Sequence, residues 1–169
     1  MKSLIKVSWD SNSPIYAISQ SELQKKGIHS LLLDVDGTLV NRKSNMIPKA
    51  VKNWIIESKK LFSLYLISNN PSKKRIAKLA KELNLRYKYN ASKPRKKVTL
   101  SAIKEIGIKP ENIAIIGDRI FTDIIVGNRC NIKTILVKRL NRDGLPIKFN
   151  LTLTIEKLIS HFIKWKLGL

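Results

Sequence analysis

Two carboxylates sit two residues apart in Asp34-Val35-Asp36-Gly37-Thr38, directly after the apolar run Leu31-Leu32-Leu33. Residues i and i+2 of a strand point to the same side, and like charges held that close call for a cation or a proton between them. Gly37 lets the backbone turn there or approach a ligand closely. These residues suit a metal-assisted nucleophile beside a general acid. Alone they equally suit a strand ending in an acidic turn, since Asp-Gly is a common turn dipeptide. The rest of the chain discriminates. Ser68-Asn69-Asn70 follows a second apolar run, and Gly117-Asp118, with Asp123 five residues on, follows a later one. In open α/β sheets ligands bind at the carboxyl ends of strands, so three separate segments would deliver polar groups to one edge.

The elements that must position these groups are legible as apolar runs alternating with helical stripes. Strands are expected at 31–33, 61–67, 86–90, 113–116 and 134–137, and their continuous apolar character predicts burial on both faces. Ile47, Val51, Trp54 and Ile55 follow helical spacing behind Pro48; Ile76, Leu79, Ala80 and Leu83 do so behind Pro71. Val98, Ala102, Ile103 and Ile106 form a third stripe, with Gly107 as its stop. This β-α-β alternation predicts an α/β fold, a three-layer doubly wound parallel sheet. A short helix is expected around 21–26 and a loop over 138–150, broken at Asp143-Gly144 and Pro146. Ile155, Leu158, Ile159 and Phe162 mark a C-terminal amphipathic helix over 154–166, with Lys157, Lys164 and Lys166 off the stripe. Such a stripe can pack on its own core or lie on a membrane surface.

The 169 residues suggest one domain over 1–169, with a catalytic core over 28–140. No linker or repeat divides it. With 43% hydrophobic residues the composition is that of a globular chain, not a disordered one. No apolar run approaches the roughly 20 residues of a membrane span. Met1-Lys2-Ser3 and the residues after them do not read as a signal peptide. Cys130 is the sole cysteine, which excludes an intrachain disulfide and a cysteine metal cluster and fits a reducing cytosol. Thirty-three Lys and Arg against twelve acids give a net charge of +21, which favours anionic partners: nucleic acid, an anionic membrane surface or phosphorylated substrates. No aromatic-rich stacking motif of the RNA-binding kind accompanies that charge.

The polar strand ends resemble the motifs of the haloacid dehalogenase (HAD) superfamily of phosphotransferases. Asp34, Asp36 and Thr38 match its DxDx(T/V) motif, Ser68 its second and Lys93 its third, with Lys96 and Lys97 nearby; Gly117, Asp118 and Asp123 match GDxxxxD. The resemblance implies a HAD-like Rossmannoid fold and Mg²⁺ as cofactor. It implies that Asp34 is a nucleophile forming an aspartyl-phosphate, and that Asp36 protonates the leaving group and then activates water. Asp34, the Asp36 backbone carbonyl and Asp118 would hold the metal, with Asp123 completing or orienting the set. Ser68, the Asn69 N–H and Lys93 would hold the phosphoryl oxygens. The gaps from Asp36 to Ser68 and from Ser68 to Lys93 are too short for a cap domain, which predicts an open site.

A narrower resemblance, to YqeG-type subfamily IIIA phosphatases, rests on Gly27-Ile28, Ile67-Ser68-Asn69-Asn70, Lys93-Pro94, the segment from Gly117 to Asp123, Gly127-Asn128-Arg129, and Thr134-Ile135-Leu136-Val137 followed by Asp143-Gly144. Many members carry asparagine where this chain has Gly37. That group includes phosphatidylglycerophosphate phosphatases. The resemblance therefore implies dephosphorylation of phosphatidylglycerophosphate by a cytoplasmic enzyme lying peripherally on the inner face of a membrane, an anionic phospholipid surface being its partner. The basic clusters Lys73-Lys74-Arg75 and Lys93 to Lys97 are expected near the site edge. The alternative is a phosphatase for a soluble sugar phosphate, a nucleotide or a phosphorylated nucleic-acid end.

Overall fold

The computed structural model describes residues 4–167, without the side chains of Lys164, Trp165 and Leu167. Met1-Lys2-Ser3 and the Lys164 side chain, both used in reading the sequence, lie outside that set. Along the chain run β1 (Trp9–Asp10), α1 (Gln20–Lys25), β2 (Ser30–Leu33), α2 (Lys49–Lys59), β3 (Ser63–Ile67), α3 (Lys73–Leu83), β4 (Arg86–Lys88), α4 (Lys97–Ile106), β5 (Ile113–Gly117), α5 (Ile125–Arg129), β6 (Lys133–Leu136) and α6 (Leu151–Leu167). The six strands form one sheet in the order β1-β6-β5-β2-β3-β4, every pairing parallel.

Alternation along the strands builds the three layers. Leu31 and Leu33 of β2 pack with Val51 and Ile55 of α2 and Ile76 and Leu79 of α3. Leu32, between them, faces the other way with Tyr65, Ala102 of α4 and Val126 of α5. Side chains of opposite parity thus bury against helices on opposite faces, and the apolar runs are continuous because both faces are covered. Left-handed residues close the helices: Asn84 after α3, and Gly107 after α4, where the expected stop falls.

Several boundaries differ from the sequence expectation. Leu61 and Phe62 bond back to the Ser58 carbonyl and close α2, so β3 starts at Ser63. β4 ends at Lys88, and its exposed Arg86 suits an edge strand. β1 was not anticipated; two residues pairing with Ile135 and Leu136 are too short to show a period.

Of the two readings of the α6 stripe, packing on the core is not the one the fold adopts. The stripe Ile155, Leu158, Ile159 and Phe162 faces outward, each residue being exposed. The side facing the core carries Leu153, Glu156, Ser160 and Ile163. Glu156 accepts from the Ile120 N–H at 2.7 Å and from Arg119 at 3.1 and 3.2 Å, so a satisfied buried carboxylate fixes the helix. Among the described residues no helix is long and apolar enough to cross a membrane.

Candidate active site

The strand order reverses at β2, which has β3 on one side and β5 on the other, so the crevice beyond those three strands is the topological switch point. Register sets their ends level. Leu33 is opposite both Leu66 and Ile116, so Asp34, Ser68 and Asp118 emerge within two residues of one line. The segment 37–48 and α2 are all that separate Asp36 from β3, and α3 and β4 fill the next gap. No cap domain intervenes. Between β5 and α5 the chain makes a π-helical turn, Ile120–Ile124, that carries Asp123 back under β5. A Cβ on Gly117 would collide with the Asp123 side chain, so glycine is required for that approach.

Lys93 is the centre of the charge network. Its ammonium donates to Asp34 Oδ1 at 2.6 Å, to Asp123 Oδ1 at 2.5 Å and to the Ile67 carbonyl at 3.2 Å. Its side chain is 1% exposed, whereas Lys96 and Lys97 are exposed; the lysine at the carboxylates is therefore Lys93. Burial alone would depress its ammonium, but Asp123 and Asp34 more than offset this and hold it above the ordinary lysine value. Asn69 fixes the segment through its side chain: its amide donates to the Lys93 carbonyl at 2.9 Å and its oxygen accepts from the Lys93 N–H at 2.7 Å. Thr38 donates to Asp34 Oδ2 at 3.1 Å, and Ser68 lies buried on the cleft wall.

Asp36 stands at the cleft mouth. The Asn70 amide donates to its Oδ2 at 3.0 Å, and Arg75 Nη1 lies 2.8 Å from Oδ1, close enough for an ion pair but not aligned as a hydrogen bond. Arg75 also donates to the Ser44 carbonyl and to Asn45 Oδ1, so one guanidinium ties the 41–48 loop to Asp36. Of the expected basic clusters, Arg75 and Lys93 turn inward while Lys73, Lys74, Arg95, Lys96 and Lys97 stay exposed.

Sequence reasoning missed Arg139. Its Nε donates to Asp118 Oδ2 at 2.6 Å. The sequence marks residues 138–150 only as a loop, yet a basic residue just past the carboxyl end of β6 must fall on the same sheet edge as the site. Gly37, at φ +98°, makes room for this pair: a Cβ there would sit 2.6 Å from Asp118 Oδ2 and 2.8 Å from Arg139 Nε. Arg42 and Thr122, also unanticipated, line the cleft.

Asp34, Asp118 and Asp123, all buried, each bring a carboxylate oxygen within 4.8 Å of the other two. When all three are ionised they face two cations, Lys93 and Arg139, leaving one negative charge in excess. Burial pushes the Asp34 carboxyl up to about 8, with Lys93 pulling it back. Burial and then Asp123 raise Asp118 to about 6, with Arg139 opposing. An oxygen-only donor set with surplus negative charge fits a hard divalent cation such as Mg²⁺. Mg²⁺ at about a hundred times its Kd is expected to stabilise the protein by about 2.7 kcal/mol. Thermal unfolding with Mg²⁺ and with EDTA measures this, and Asp118→Asn should erase the gain; an equal gain in that variant would remove Asp118 from the metal set.

Known proteins resemble this chain in sequence and in fold. A family model described as HAD-hydrolase-like matches residues 90–143. "Probable phosphatase YqeG" of Bacillus subtilis (strain 168) is 30% identical over 154 residues, spanning 90% of this chain and 88% of that one. An uncharacterized protein from Listeria monocytogenes serotype 4b shares the fold at TM-score 0.55, 18% identical, over 75% of this chain and 86% of that one. The HAD-hydrolase YfnB from Bacillus subtilis, solved bound to magnesium, does so at TM-score 0.53 and 14% identity, over 71% of this chain and 90% of that one.

Proposed function

The chain belongs to the HAD superfamily of phosphatases, and from that premise we propose that it hydrolyses a lipid-borne phosphomonoester, phosphatidylglycerophosphate, through a phosphoryl group carried on Asp34. In that reading the Asp34 carboxylate attacks phosphorus as the bond to the leaving oxygen breaks. Asp36 gives that oxygen its proton, then takes one from the water that cleaves the aspartyl-phosphate, a role worth roughly 10²–10⁴-fold. Asn70 and Arg75 hold the Asp36 carboxyl over the cleft for both steps. Ser68, the Asn69 N–H and Lys93 offset charge on the phosphoryl oxygens. Asp34, Asp118 and Asp123, with the Asp36 carbonyl, would hold Mg²⁺, which when bound supplies further neutralisation of the phosphoryl group.

The size of the cleft and the nature of its rim carry the substrate reading. The cleft holds about 140 Å³, below the roughly 300–1,000 Å³ of sites that engulf a small ligand. It takes a phosphoryl group and leaves the rest of the substrate outside. What lies outside is uncapped: Arg42 lines the cleft, and the adjoining 41–48 and 138–150 segments expose Met46 and Leu145. An interfacial substrate suits that rim better than a small polar one. The test is phosphate release from phosphatidylglycerophosphate in mixed micelles, beside a panel of sugar phosphates, nucleotides and 5′-phosphorylated oligonucleotides. The lipid is expected to show the highest kcat/KM, by roughly tenfold or more. A soluble monoester turned over far faster than the lipid would replace this substrate and leave the chemistry at Asp34 in place.

A further inference from the structure

The outward face of α6 is unusual in what it leaves uncovered. Leu151, Ile155, Leu158 and Ile159 recur at helical spacing on the side opposite Leu153, Glu156, Ser160 and Ile163, which meet the core. Leu151 is 61% exposed and Leu158 66%. A monomer gains nothing by turning four large aliphatic side chains to water on one stripe while burying a glutamate on the other; such a patch marks an interaction surface.

The segment that leads into this helix adjoins the catalytic edge, where Arg139 meets Asp118. The 41–48 loop and the 138–150 segment are joined where Asn41 donates to the Leu140 carbonyl and Gly144 packs on Pro48. Met46 and Leu145 stand exposed on those two segments, and Phe149 and Leu151 carry the apolar surface into α6. A groove of about 180 Å³ runs from the active-site arginine past Phe149 to the flank of α6 that carries Leu153 and Lys157, beside the stripe rather than on it, with Asp10 pairing Lys157 in its wall. Glu156 then ties the helix to the Arg119 guanidinium and the Ile120 N–H, next to Asp118.

Charge identifies the occupant. Segments 41–49 and 138–167 hold ten Lys and Arg against two acids, Asp143 and the buried Glu156. Arg42, Lys43, Arg142, Lys148 and Lys166 on these segments are exposed. A second copy of a chain of net charge +21 would be repelled across such a face. An apolar stripe flanked by cations matches an anionic bilayer, whose acyl boundary takes the aliphatic side chains and whose headgroups take the Lys and Arg.

We propose that the outer stripe of α6, together with Met46, Leu145 and Phe149, docks the protein on an anionic lipid surface and so sets the catalytic cleft against it. The inference deepens the lipid-phosphatase reading and rests on it for its purpose, but docking is measured without substrate. Wild-type protein is sedimented with phosphatidylcholine vesicles, with and without phosphatidylglycerol. An Ile155→Glu/Leu158→Glu double variant is treated identically, and both are assayed on p-nitrophenyl phosphate. Both positions are exposed, so the variant keeps its fold, and neither touches the site. Wild type is expected to pellet with the phosphatidylglycerol vesicles and to be released by salt. The double variant is expected to bind them at least roughly tenfold more weakly, with unchanged turnover of p-nitrophenyl phosphate. Wild type remaining in the supernatant, a variant that pellets equally well, or a wild-type dimer that the variant dissolves would each overturn the proposal. Failure of the lipid-substrate reading alone would leave vesicle binding intact.

Discussion

Asp34→Asn is expected to abolish turnover, by on the order of 10⁴-fold or more, while leaving a folded protein with an altered pH response. Loss of the nucleophile removes the covalent route altogether, and no neighbour replaces it: Asp118 and Asp123 are paired with Arg139 and Lys93. The stability signature separates this from misfolding. The Asp34 carboxyl is pushed from 3.8 up to about 8 in the folded, metal-free protein, first by burial. Between those values the folded chain keeps a proton that the unfolded chain has lost. Stability of the metal-free protein therefore falls as pH rises from about 4 to about 8. Asparagine carries no such proton and leaves two carboxylates facing two cations. The variant should lose much of that slope and be more stable than wild type at pH 8 in EDTA. Thermal unfolding at pH 5 and pH 8, beside the activity assay, checks both halves, and Asp34→Ala guards against deamidation of the asparagine.

Lys93→Met carries the second large effect, and it falls on folding and activity together. The ammonium meets Asp34, Asp123 and the Ile67 carbonyl from a buried position. Removing it leaves three buried carboxylates against Arg139 alone, and breaking a buried charge pair on one side costs roughly 3–5 kcal/mol. For a chain of this size that lowers Tm by roughly 6–20 °C. Mg²⁺ should restore part of the stability, since it supplies positive charge to the same oxygens, but not turnover, because the cation facing the phosphoryl group is gone. Lys96→Ala and Lys97→Ala, on exposed side chains, should leave both properties near wild type. Equal loss of activity in either of those variants would move the phosphoryl-binding role away from Lys93.

The catalytic edge was legible because its signals are local. Asp34 and Asp36 directly follow three leucines that are fully buried, and Gly117-Asp118 directly follows four buried residues of β5. A buried strand ending in acids is readable in one window, and the parallel register then aligns the ends. Arg139 was not legible, because its nearness to Asp118 depends on β6 lying beside β5, which no local pattern encodes. The π-helical turn that brings Asp123 under Gly117 is equally silent in sequence. α6 misled in an instructive way. Hydrophobic periodicity locates the apolar face of a helix and tacitly assigns it to the core. Here the core side carries Leu153, Ile163 and Glu156, whose partners Arg119 and Ile120 N–H lie 36 or 37 residues away in sequence, and the longer apolar stripe is left outside. β1 escaped notice for a simpler reason, since Trp9 and Asp10 owe their strand character entirely to pairing with β6.

The account depends above all on a phosphoryl group carried by Asp34. Rapid acid quench of the enzyme turning over a ³²P-labelled phosphomonoester, followed by peptide mapping, measures this directly. Label is expected on the peptide containing Asp34-Val35-Asp36, lost on treatment with hydroxylamine as an acyl phosphate is, and absent from Asp34→Asn. Steady turnover with no label on that peptide, or label on another residue, would contradict the account.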